Sequence, residues 1–156
     1  MKAATIVFCI KGDQVLLGMK KVRFGAGKWN GFGGKVEEGE SIEGAAAREV
    51  KEEAGLSIDP EMLKHVATVS FYFGKKPVFE CHAYIAHNWE GQPQESDEMR
   101  PQWFPLNAVP YDAMWPSDLY WLPAVLSGHL LTGTCRFNDD GTIVESFEMQ
   151  RMLPSE

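Results

Sequence analysis

The segment from Gly34 to Leu56 constrains the fold more than any other part of the chain. Its residues Ile42 to Ala54 are rich in alanine and glutamate and contain no proline, a composition that favours a helix. Ser41 is a good N-cap residue, and glycine, found here as Gly55, commonly ends a helix. The sequence therefore predicts a helix over Ile42–Ala54 that follows a glycine-rich loop.

One face of this predicted helix carries three acidic side chains. Glu49, Glu52 and Glu53 are spaced i, i+3 and i+4, so their side chains are neighbours on the helix surface. Like charges at this spacing repel unless a cation lies among them, and carboxylate oxygens are ligands that Mg²⁺ prefers. Because Mg²⁺ also binds substrate phosphates, the face indicates metal-assisted phosphate chemistry. The alternative is an acidic helix face that is merely solvated.

Glycines precede the helix at positions where a ligand could approach the backbone closely. Gly31, Gly33 and Gly34 lie in a predicted strand that enters a tight loop. The segment from Gly34 onward fits the pattern G-x5-E-x7-R-E-U-x-E-E-x-G-U, where U is aliphatic, without a departure. In this pattern the chain resembles the signature of the Nudix hydrolases.

The resemblance implies an α+β fold: an α/β/α sandwich with a mixed central sheet, the signature helix and a second helix in the C-terminal half. It also implies a bound divalent metal, Mg²⁺ with Mn²⁺ as a substitute. The implied metal ligands are Glu49, Glu52, Glu53 and the carbonyl oxygen of Gly34. One of the last two glutamates would also orient the attacking water. By the same resemblance, Arg48 braces a carboxylate such as Glu40 rather than contacting substrate.

The rest of the chain carries strand signals and one further helix signal. Apolar stretches separated by turn-forming residues predict three hairpins. These pair residues 3–10 with 15–19, 66–73 with 78–86, and 133–138 with 142–149. Short strands are predicted at 30–36 and 102–106. A helical segment over Asp118–Leu126 contains Pro123, which argues against a continuous unkinked helix.

Length and charge limit the classes of partner. The chain has 156 residues, which predicts a single domain spanning residues 1–156, and a formal net charge of −7. This charge disfavours a broad electrostatic surface for DNA or RNA, so a small anionic substrate must be met by a metal and local cations. No apolar stretch approaches the roughly 18 residues that a membrane-spanning helix needs. We expect a cytoplasmic monomer without nucleic-acid or membrane partners.

The cysteines and histidines do not indicate further chemistry. Buried reduced thiols best explain the cysteines in predicted strands, Cys9, Cys81 and Cys135. The four histidines lack the sequence spacing that is typical of metal ligands. They are His65, His82, His87 and His129. No Ser/His/Asp or Cys/His nucleophile set is visible, so water is the expected nucleophile.

Motifs outside the signature narrow the resemblance within the family. They are Leu17-Gly18-Met19-Lys20-Lys21, the run from Phe24 to Val36, the run from Glu95 to Pro101, and Met114-Trp115-Pro116 with Tyr120-Trp121. Together they resemble the mammalian-type oxidised purine nucleoside triphosphatases, the branch that hydrolyses 8-oxo-dGTP and 2-hydroxy-dATP to monophosphates. The resemblance spans most of the chain and fades after Leu126.

This closer resemblance implies a purine pocket of aromatic and polar side chains. Its members are Asn30, Phe71, Phe73, Met99 and Trp115, with Asp118 at the acidic edge and Phe24 and Phe79 near the walls. Aromatic rings stack on a purine, and an asparagine can both donate and accept along the edge of a base. Core packing is the alternative for Phe71 and Phe73.

Two charged residues extend the implied site toward the phosphates. Glu98 matches a carboxylate that reaches the metal or water from an opposite loop, unless it is a solvated loop acid. Lys20 closes a strand before a basic loop, and it either contacts phosphate or lies at a solvated hairpin end.

One residue departs from the branch. Ser117 stands where the branch has an aspartate beside the position of Asp118, so a pair of acids that could share a proton is lost. A serine hydroxyl still donates or accepts by rotating. The departure predicts an altered preference between 8-oxo-dGTP and 2-hydroxy-dATP.

Three functions are compatible with these residues. The first is Mg²⁺-dependent hydrolysis of oxidised purine nucleoside triphosphates to monophosphate and pyrophosphate, which sanitises the nucleotide pool and assists DNA repair. The second is the same chemistry on other nucleoside triphosphates or on dinucleoside polyphosphates. The third is a nucleotide-binding regulator without turnover, against which the intact set of Glu49, Glu52 and Glu53 argues.

Overall fold

The computed structural model describes residues 1–152, which form an eight-stranded mixed sheet with a helix on each face. The strands are β1 (Lys2–Lys11), β2 (Gln14–Lys20), β3 (Trp29–Asn30), β4 (Lys64–Phe73), β5 (Lys76–Ala86), β6 (Met99–Pro105), β7 (Leu130–Phe137) and β8 (Val144–Met152). The helices are α1 (Ile42–Ala54) and α2 (Asp118–Leu126). Short 3₁₀ turns lie in the connections, at Pro60–Met62, Leu106–Ala108 and Tyr111–Ala113.

The sheet order is β3-β2-β1-β5-β4-β7-β8, and β6 pairs with the other edge of β2. Two neighbouring pairs are parallel, β1 with β5 and β4 with β7, and the remaining pairs are antiparallel. β1 pairs with β2 only near the hairpin turn that joins them. Further along β2, β3 pairs with the part of that same edge that β1 leaves open. The chain after β3 then runs antiparallel to β1, with isolated bridges at Phe32 and Lys35. This path delivers the glycine-rich segment to the start of α1.

Helix α1 has the limits that the sequence predicts. The Ser41 hydroxyl accepts the Gly44 N–H, and Gly55 ends the helix with a φ of 73°, in the left-handed region that favours glycine. Ala46, Val50 and Ala54 are buried against the sheet. Local capping and an apolar stripe therefore fix both ends and the orientation of this helix.

Helix α2 begins and ends at the predicted residues and runs through Pro123 without a break. The missing N–H of Pro123 would have bonded the Leu119 carbonyl. Leu119 is 61% exposed, so water can satisfy that carbonyl. Trp121, Leu122 and Val125 are buried against the sheet.

The two faces of the sheet carry separate cores because side chains alternate along each strand. In β1, Ile6 and Phe8 belong to the core that contains the buried residues of α2, whereas Val7 and Cys9 belong to the core beneath α1. The protein is therefore an α/β/α sandwich with a mixed sheet, which confirms the predicted fold class.

Most strand limits differ from the prediction by a few residues, and three of the differences have a clear physical reason. Of the segment predicted at 30–36, only its first residue lies in β3, and isolated bridges follow because glycines keep the chain irregular. β6 begins at Met99 rather than at residue 102, since an edge strand tolerates the proline that weakens its sequence signal. β7 begins at Leu130 rather than at residue 133, because pairing with β4 outweighs the weak strand preference of Gly133.

The three cysteines are buried and free, as predicted. Burial raises the pKa of each thiol to about 12, so the thiols are protonated and unreactive at neutral pH. None of the helices within residues 1–152 is both long and apolar enough to cross a membrane.

Candidate active site

Helix α1 presents its three acidic residues at different depths. Glu53 lies beside the buried Ala54 and is itself only 3% exposed. The Glu49 side chain is mostly buried and the Glu52 side chain is exposed, at 15% and 56% of full exposure. The predicted acidic face therefore runs from the protein interior to solvent.

Glu53 is a buried acid with a strongly shifted pKa. Its pKa is raised to about 8, chiefly by burial and also by the charges of Glu49 and Glu98, although the Gly33 N–H and Lys20 act in the opposite direction. The Gly33 N–H donates to Glu53 Oε1 at 2.8 Å. A carboxyl with this pKa can hold or release a proton near neutral pH, as a general base must.

The glycine-rich segment lies beside β1 with its backbone groups pointing alternately toward and away from that strand. Phe32 exchanges hydrogen bonds with β1, and the Gly34 carbonyl accepts the Thr5 N–H at 2.8 Å and the Thr5 hydroxyl at 3.4 Å. Gly33 lies between them and directs its N–H to Glu53 instead. A Cβ at Gly33 would lie 1.8 Å from the Thr5 carbonyl oxygen, so only glycine fits there.

The hydrogen bonds of Gly33 and Gly34 determine which of their carbonyl oxygens is available to bind a metal ion. The Gly34 carbonyl is engaged by Thr5, whereas no donor meets the Gly33 carbonyl within residues 1–152. An extended residue points its N–H and its carbonyl to the same side, which for Gly33 is the side of Glu53. The structure therefore favours the carbonyl oxygen of Gly33 over that of Gly34 as a candidate metal ligand. Gly34 instead makes room for Glu49, whose Oε1 would lie 2.6 Å from a Cβ there.

Arg48 makes the predicted contact with Glu40. Its Nε and Nη2 donate to the two carboxylate oxygens of Glu40 at 2.7 and 2.9 Å, the paired geometry of a strong arginine–carboxylate interaction. This interaction holds the pKa of Glu40 below its ordinary value. Arg48 Nη1 also donates to Glu49 at 3.0 Å and to Glu52 at 3.3 Å. The guanidinium thus ties the loop before α1 to the acidic face.

Glu98 reaches the site from the segment that precedes β6. Lys20 Nζ donates to Glu98 Oε2 at 3.3 Å, and Arg23 Nη1 donates to Oε1 at 3.1 Å. Burial alone would raise the pKa of Glu98, but these two cations hold it below its usual range. Burial raises the pKa of both Glu49 and Glu53, and the charge of Glu98 adds to this. The three carboxylates therefore form one electrostatic cluster.

The oxygen atoms of this cluster suit a hard divalent cation, because carboxylate and backbone carbonyl oxygens are the ligands that such ions prefer. As the side chains stand, no three His, Cys, Asp or Glu residues in the described part of the chain converge on a common point. Each carboxylate is instead directed to its own partner: Glu53 to a backbone N–H, Glu49 and Glu52 to Arg48, and Glu98 to two cations. Binding an ion would require these side chains to exchange partners.

Four of the aromatic residues expected in the purine pocket, Phe24, Phe71, Phe73 and Trp115, belong to one cluster of rings. The ring centroid of Trp115 is 4.9 Å from that of Phe24 and 6.3 Å from that of Phe137. Phe137 in turn lies 6.2 Å from Phe71 and 5.6 Å from Phe73. Phe137 was not singled out from the sequence, where it is only one apolar residue of a strand. Its pairing with Phe73 across β4 and β7 brings it into the cluster.

Three more predicted pocket residues lie in different surroundings. Phe79 packs on Phe71 at 5.2 Å, and Phe71 is only 7% exposed, as a core residue would be. Met99 is buried in the core beneath α1, so the structure does not bring it together with the residues of the α2 side. The Asn30 Oδ1 atom accepts the Gly31 N–H at 2.9 Å, which leaves the amide N–H groups of Asn30 for a ligand.

Ser117 and Asp118 are both buried at the start of α2, so Asp118 is an interior carboxyl rather than an exposed acidic edge. Its Oδ2 atom has no hydrogen-bond partner within residues 1–152, and the same holds for the indole nitrogen of buried Trp121. Burial raises the pKa of Asp118 to about 7. The Ser117 hydroxyl does not cap the helix. A buried carboxylate oxygen without a partner of its own calls for a bound group.

The basic loop between β2 and β3 connects the acidic cluster to the aromatic cluster. Arg23 contacts Glu98, and the next residue, Phe24, contacts Trp115. Lys28 Nζ lies 5.5 Å from the Trp115 ring. The site therefore offers acids at one end, cations in the middle, and aromatic rings with a buried acid at the other end. Such an arrangement suits a phosphorylated ligand with a planar base.

Comparison with known proteins reveals close relatives along most of the chain. The NUDIX domain model matches residues 1–125. A Danio rerio protein named oxidized purine nucleoside triphosphate hydrolase is 47% identical over 145 residues, which cover 92% of each chain. A Mus musculus protein of the same name is 48% identical over 141 residues, covering 90% of this chain and 89% of that protein.

Solved structures show the same architecture. A MutT protein from Bacillus halodurans has a TM-score of 0.83 at 27% identity and covers 96% of this chain and 98% of its own. A NUDIX hydrolase from Nitrosomonas europaea shares the fold, with a TM-score of 0.69 at 19% identity over 88% of this chain and 78% of that one. With the family model matching most of its length and its relatives nearly half identical, the chain belongs to the Nudix family.

Proposed function

We propose that this protein hydrolyses oxidised purine nucleoside triphosphates, such as 8-oxo-dGTP and 2-hydroxy-dATP, to monophosphate and pyrophosphate. The observation that carries the proposal is the buried carboxyl of Asp118, whose Oδ2 atom has no hydrogen-bond partner within residues 1–152. The backbone N–H of Asp118 donates to the carbonyl of Trp115, a member of the aromatic cluster. The names of the Danio rerio and Mus musculus relatives support this substrate class. The activity would sanitise the nucleotide pool and assist DNA repair, in a cytoplasmic, monomeric, single-domain protein.

Nudix hydrolases generally use divalent metals, and we assign the ion to Mg²⁺, with Mn²⁺ as a substitute, because the donors are oxygen atoms. The residues that would hold it are Glu49, Glu53, Glu98 and Gly33 through its carbonyl oxygen. An ion held there would supply positive charge to offset the negative charge of the phosphates. Glu52 would join these ligands by turning away from Arg48.

The protein's own groups account for the proton and the phosphates. Glu53 Oε1 is held by Gly33, so Glu53 Oε2 is the oxygen available to orient the attacking water and take its proton. Glu52 is the alternative for this role. Lys20 lies beside Glu98 at the end of β2, where its ammonium group can contact a phosphate.

The aromatic cluster would hold the base. Phe24 is 63% exposed and packs against Trp115 with its ring tilted by 36°, so the two rings together offer an aromatic surface that is open to solvent. The amide of Asn30 and the carboxyl of Asp118 would read the edge of the purine. Phe73, Phe79 and Phe137 form the wall on the sheet side.

A turnover panel with 8-oxo-dGTP, 2-hydroxy-dATP and dGTP tests the proposal, with pyrophosphate release as the readout. We expect release that depends on Mg²⁺, with kcat/KM for at least one oxidised purine about tenfold or more above that for dGTP. Equal values of kcat/KM for all three nucleotides would indicate a nucleoside triphosphate hydrolase without a preference for oxidised purines. Nucleotide binding without pyrophosphate release would identify a regulator.

Ser117→Asp is expected to change the ratio of kcat/KM for 8-oxo-dGTP to that for 2-hydroxy-dATP by about tenfold. The reason is that a second buried acid would share a proton with Asp118, so the pair could match a different pattern of donors on the base. Steady-state kinetics on both nucleotides at one pH measure the ratio. Ser117→Asn adds similar volume without charge and is the matched control. An unchanged ratio in Ser117→Asp removes the specificity role of this position.

A further inference from the structure

Arg23 has a backbone conformation that its side chain does not favour. Its φ is 64°, and within residues 1–152 every other residue with a positive φ is a glycine. Two of these glycines, Gly25 and Gly27, follow it in the same loop. A non-glycine residue in the left-handed region is strained, and such strain concentrates at functional sites. The question is what the Arg23 side chain does from this position.

The Arg23 guanidinium contributes little to packing. Its side chain is 73% exposed, and its hydrogen-bonded partner is one oxygen of Glu98, at 3.1 Å. Lys20 occupies the other oxygen of the same carboxylate at 3.3 Å. The two cations together therefore occupy both oxygens of Glu98. Each oxygen keeps a further lone pair, but a divalent cation that binds Glu98 would be repelled by both side-chain charges and would compete with them for the carboxylate.

The backbone holds the two loops in place while the side chains remain free to exchange. The Lys21 N–H donates to the Glu98 carbonyl at 2.8 Å, and the Gly27 N–H donates to the Lys20 carbonyl at 2.9 Å. These bonds do not involve the Arg23 side chain. A released Arg23 guanidinium would thus stay within reach of the acidic cluster instead of leaving with a mobile loop.

We propose that Arg23 is a triphosphate-binding residue that Glu98 holds in place until the cation and substrate bind. The inference rests on the proposed function, since it requires a phosphorylated substrate at the acidic cluster. Arginine is suited to this exchange, because its planar guanidinium donates in pairs to carboxylate and to phosphate oxygens alike. In a protein with a net charge of −7, a cation next to the site is also needed to offset repulsion of the substrate.

The cost of the exchange is small. Ion pairs between solvent-exposed side chains change an equilibrium constant by about fivefold at most, because water screens them. Arg23 therefore competes only weakly with a divalent cation for Glu98, and its loss should strengthen cation binding by a similar factor. Its loss should at the same time weaken binding of the triphosphate, since one charge-assisted contact disappears. These two effects have opposite signs.

Arg23→Asn is the variant that isolates the guanidinium, because asparagine tolerates the left-handed conformation and carries no charge. The variant is titrated with Mn²⁺ alone, and free Mn²⁺ is measured by electron paramagnetic resonance. The Kd for Mn²⁺ should be about two- to fivefold lower than that of the wild type. In steady-state turnover of the best triphosphate, KM should rise about tenfold while kcat changes less than about twofold. Arg23→Lys, which keeps a charge, should restore most of the loss in KM.

Lys21→Ala is the matched control. Lys21 lies in the same loop and its ammonium group bonds Glu95 and the Ser96 carbonyl rather than the Glu98 side chain. Its removal changes the net charge equally but should leave the Mn²⁺ Kd within about twofold of the wild type.

The outcomes separate this inference from the proposed function. If Arg23→Asn leaves both the Mn²⁺ Kd and KM unchanged, or weakens both, Arg23 is a surface or structural residue and the inference is wrong. If the wild-type protein itself neither binds Mn²⁺ nor releases pyrophosphate, the proposed function fails before any variant is compared. Turnover of ordinary triphosphates would overturn the proposed substrate class, yet the opposite shifts in Mn²⁺ Kd and KM would still support the role of Arg23.

Discussion

Replacing Glu53 with glutamine is expected to reduce kcat by about a thousandfold. Glu53 is the buried acid of the cluster, and its Oε2 atom is free while Oε1 accepts the Gly33 N–H. A glutamine keeps an oxygen for the Gly33 N–H but cannot take a proton, and it binds a divalent cation more weakly than a carboxylate. The loss should therefore fall on the chemical step. Single-turnover kinetics with saturating Mg²⁺ measure it.

The fold of Glu53→Gln should persist, because the carboxyl that it replaces is buried and has a pKa raised to about 8, so a neutral group suits the site. Thermal unfolding monitored by circular dichroism checks this. The matched control is Glu43→Gln, in the first turn of the same helix, where the acid accepts the Tyr84 hydroxyl at 2.9 Å away from the acidic cluster. Glu43→Gln should retain kcat within about twofold. A folded Glu53→Gln protein with wild-type kcat would contradict the site assignment.

Asp118→Asn is expected to remove a large part of the pH dependence of stability. Burial raises the pKa of Asp118 from 3.8 to about 7, so the folded protein binds this proton more tightly than the unfolded chain. The stabilisation is complete below pH 3.8 and is lost as the pH rises through about 7. For wild type, this group alone should lower the free energy of unfolding by about 3 kcal/mol between pH 5 and pH 8.5. Asparagine does not titrate, so the variant should lack that decrease.

Urea unfolding of both proteins at the two pH values measures this difference directly, because titrations shared by both proteins cancel. Asp112→Asn, an exposed acid just before the same helix, is the control and should follow the wild type. The same Asp118→Asn protein should bind the oxidised purine about 10- to 100-fold more weakly, as expected for loss of a charged hydrogen-bond partner. An identical pH dependence in Asp118→Asn and wild type would mean that this carboxyl is solvated in solution.

The helix that carries the proposed metal ligands could be predicted almost completely. The spacing of Glu49, Glu52 and Glu53, the Ser41 cap and the Gly55 end depend on residues within a few positions of one another, and α1 has the predicted limits. Which glycine faces the acids could not be predicted. Gly33 and Gly34 are chemically identical neighbours, and the ladder with β1 alone decides that Gly34 bonds Thr5 while Gly33 bonds Glu53.

The positions of the residues proposed to bind the base were predicted less completely. Trp115, Phe24, Phe71 and Phe73 join one aromatic cluster, but Phe137 links them from a strand that the resemblance did not cover. Met99 lies on the other side of the sheet. The side of a sheet on which a residue lies depends on strand register, and a shift by one residue reverses it.

The sequence by itself determined the reaction class, because the residues of α1 and its loop carry the family signature and are organised by local hydrogen bonds and helical periodicity. Only the tertiary structure decided how deeply each acid is buried, and hence that Glu53 and Asp118 have pKa values near 8 and 7. Only the tertiary structure brought Arg23 to Glu98, which lies 75 residues away in the chain. Desolvation and such long-range pairing depend on how the chain packs around a side chain, and a linear sequence does not contain that information in readable form.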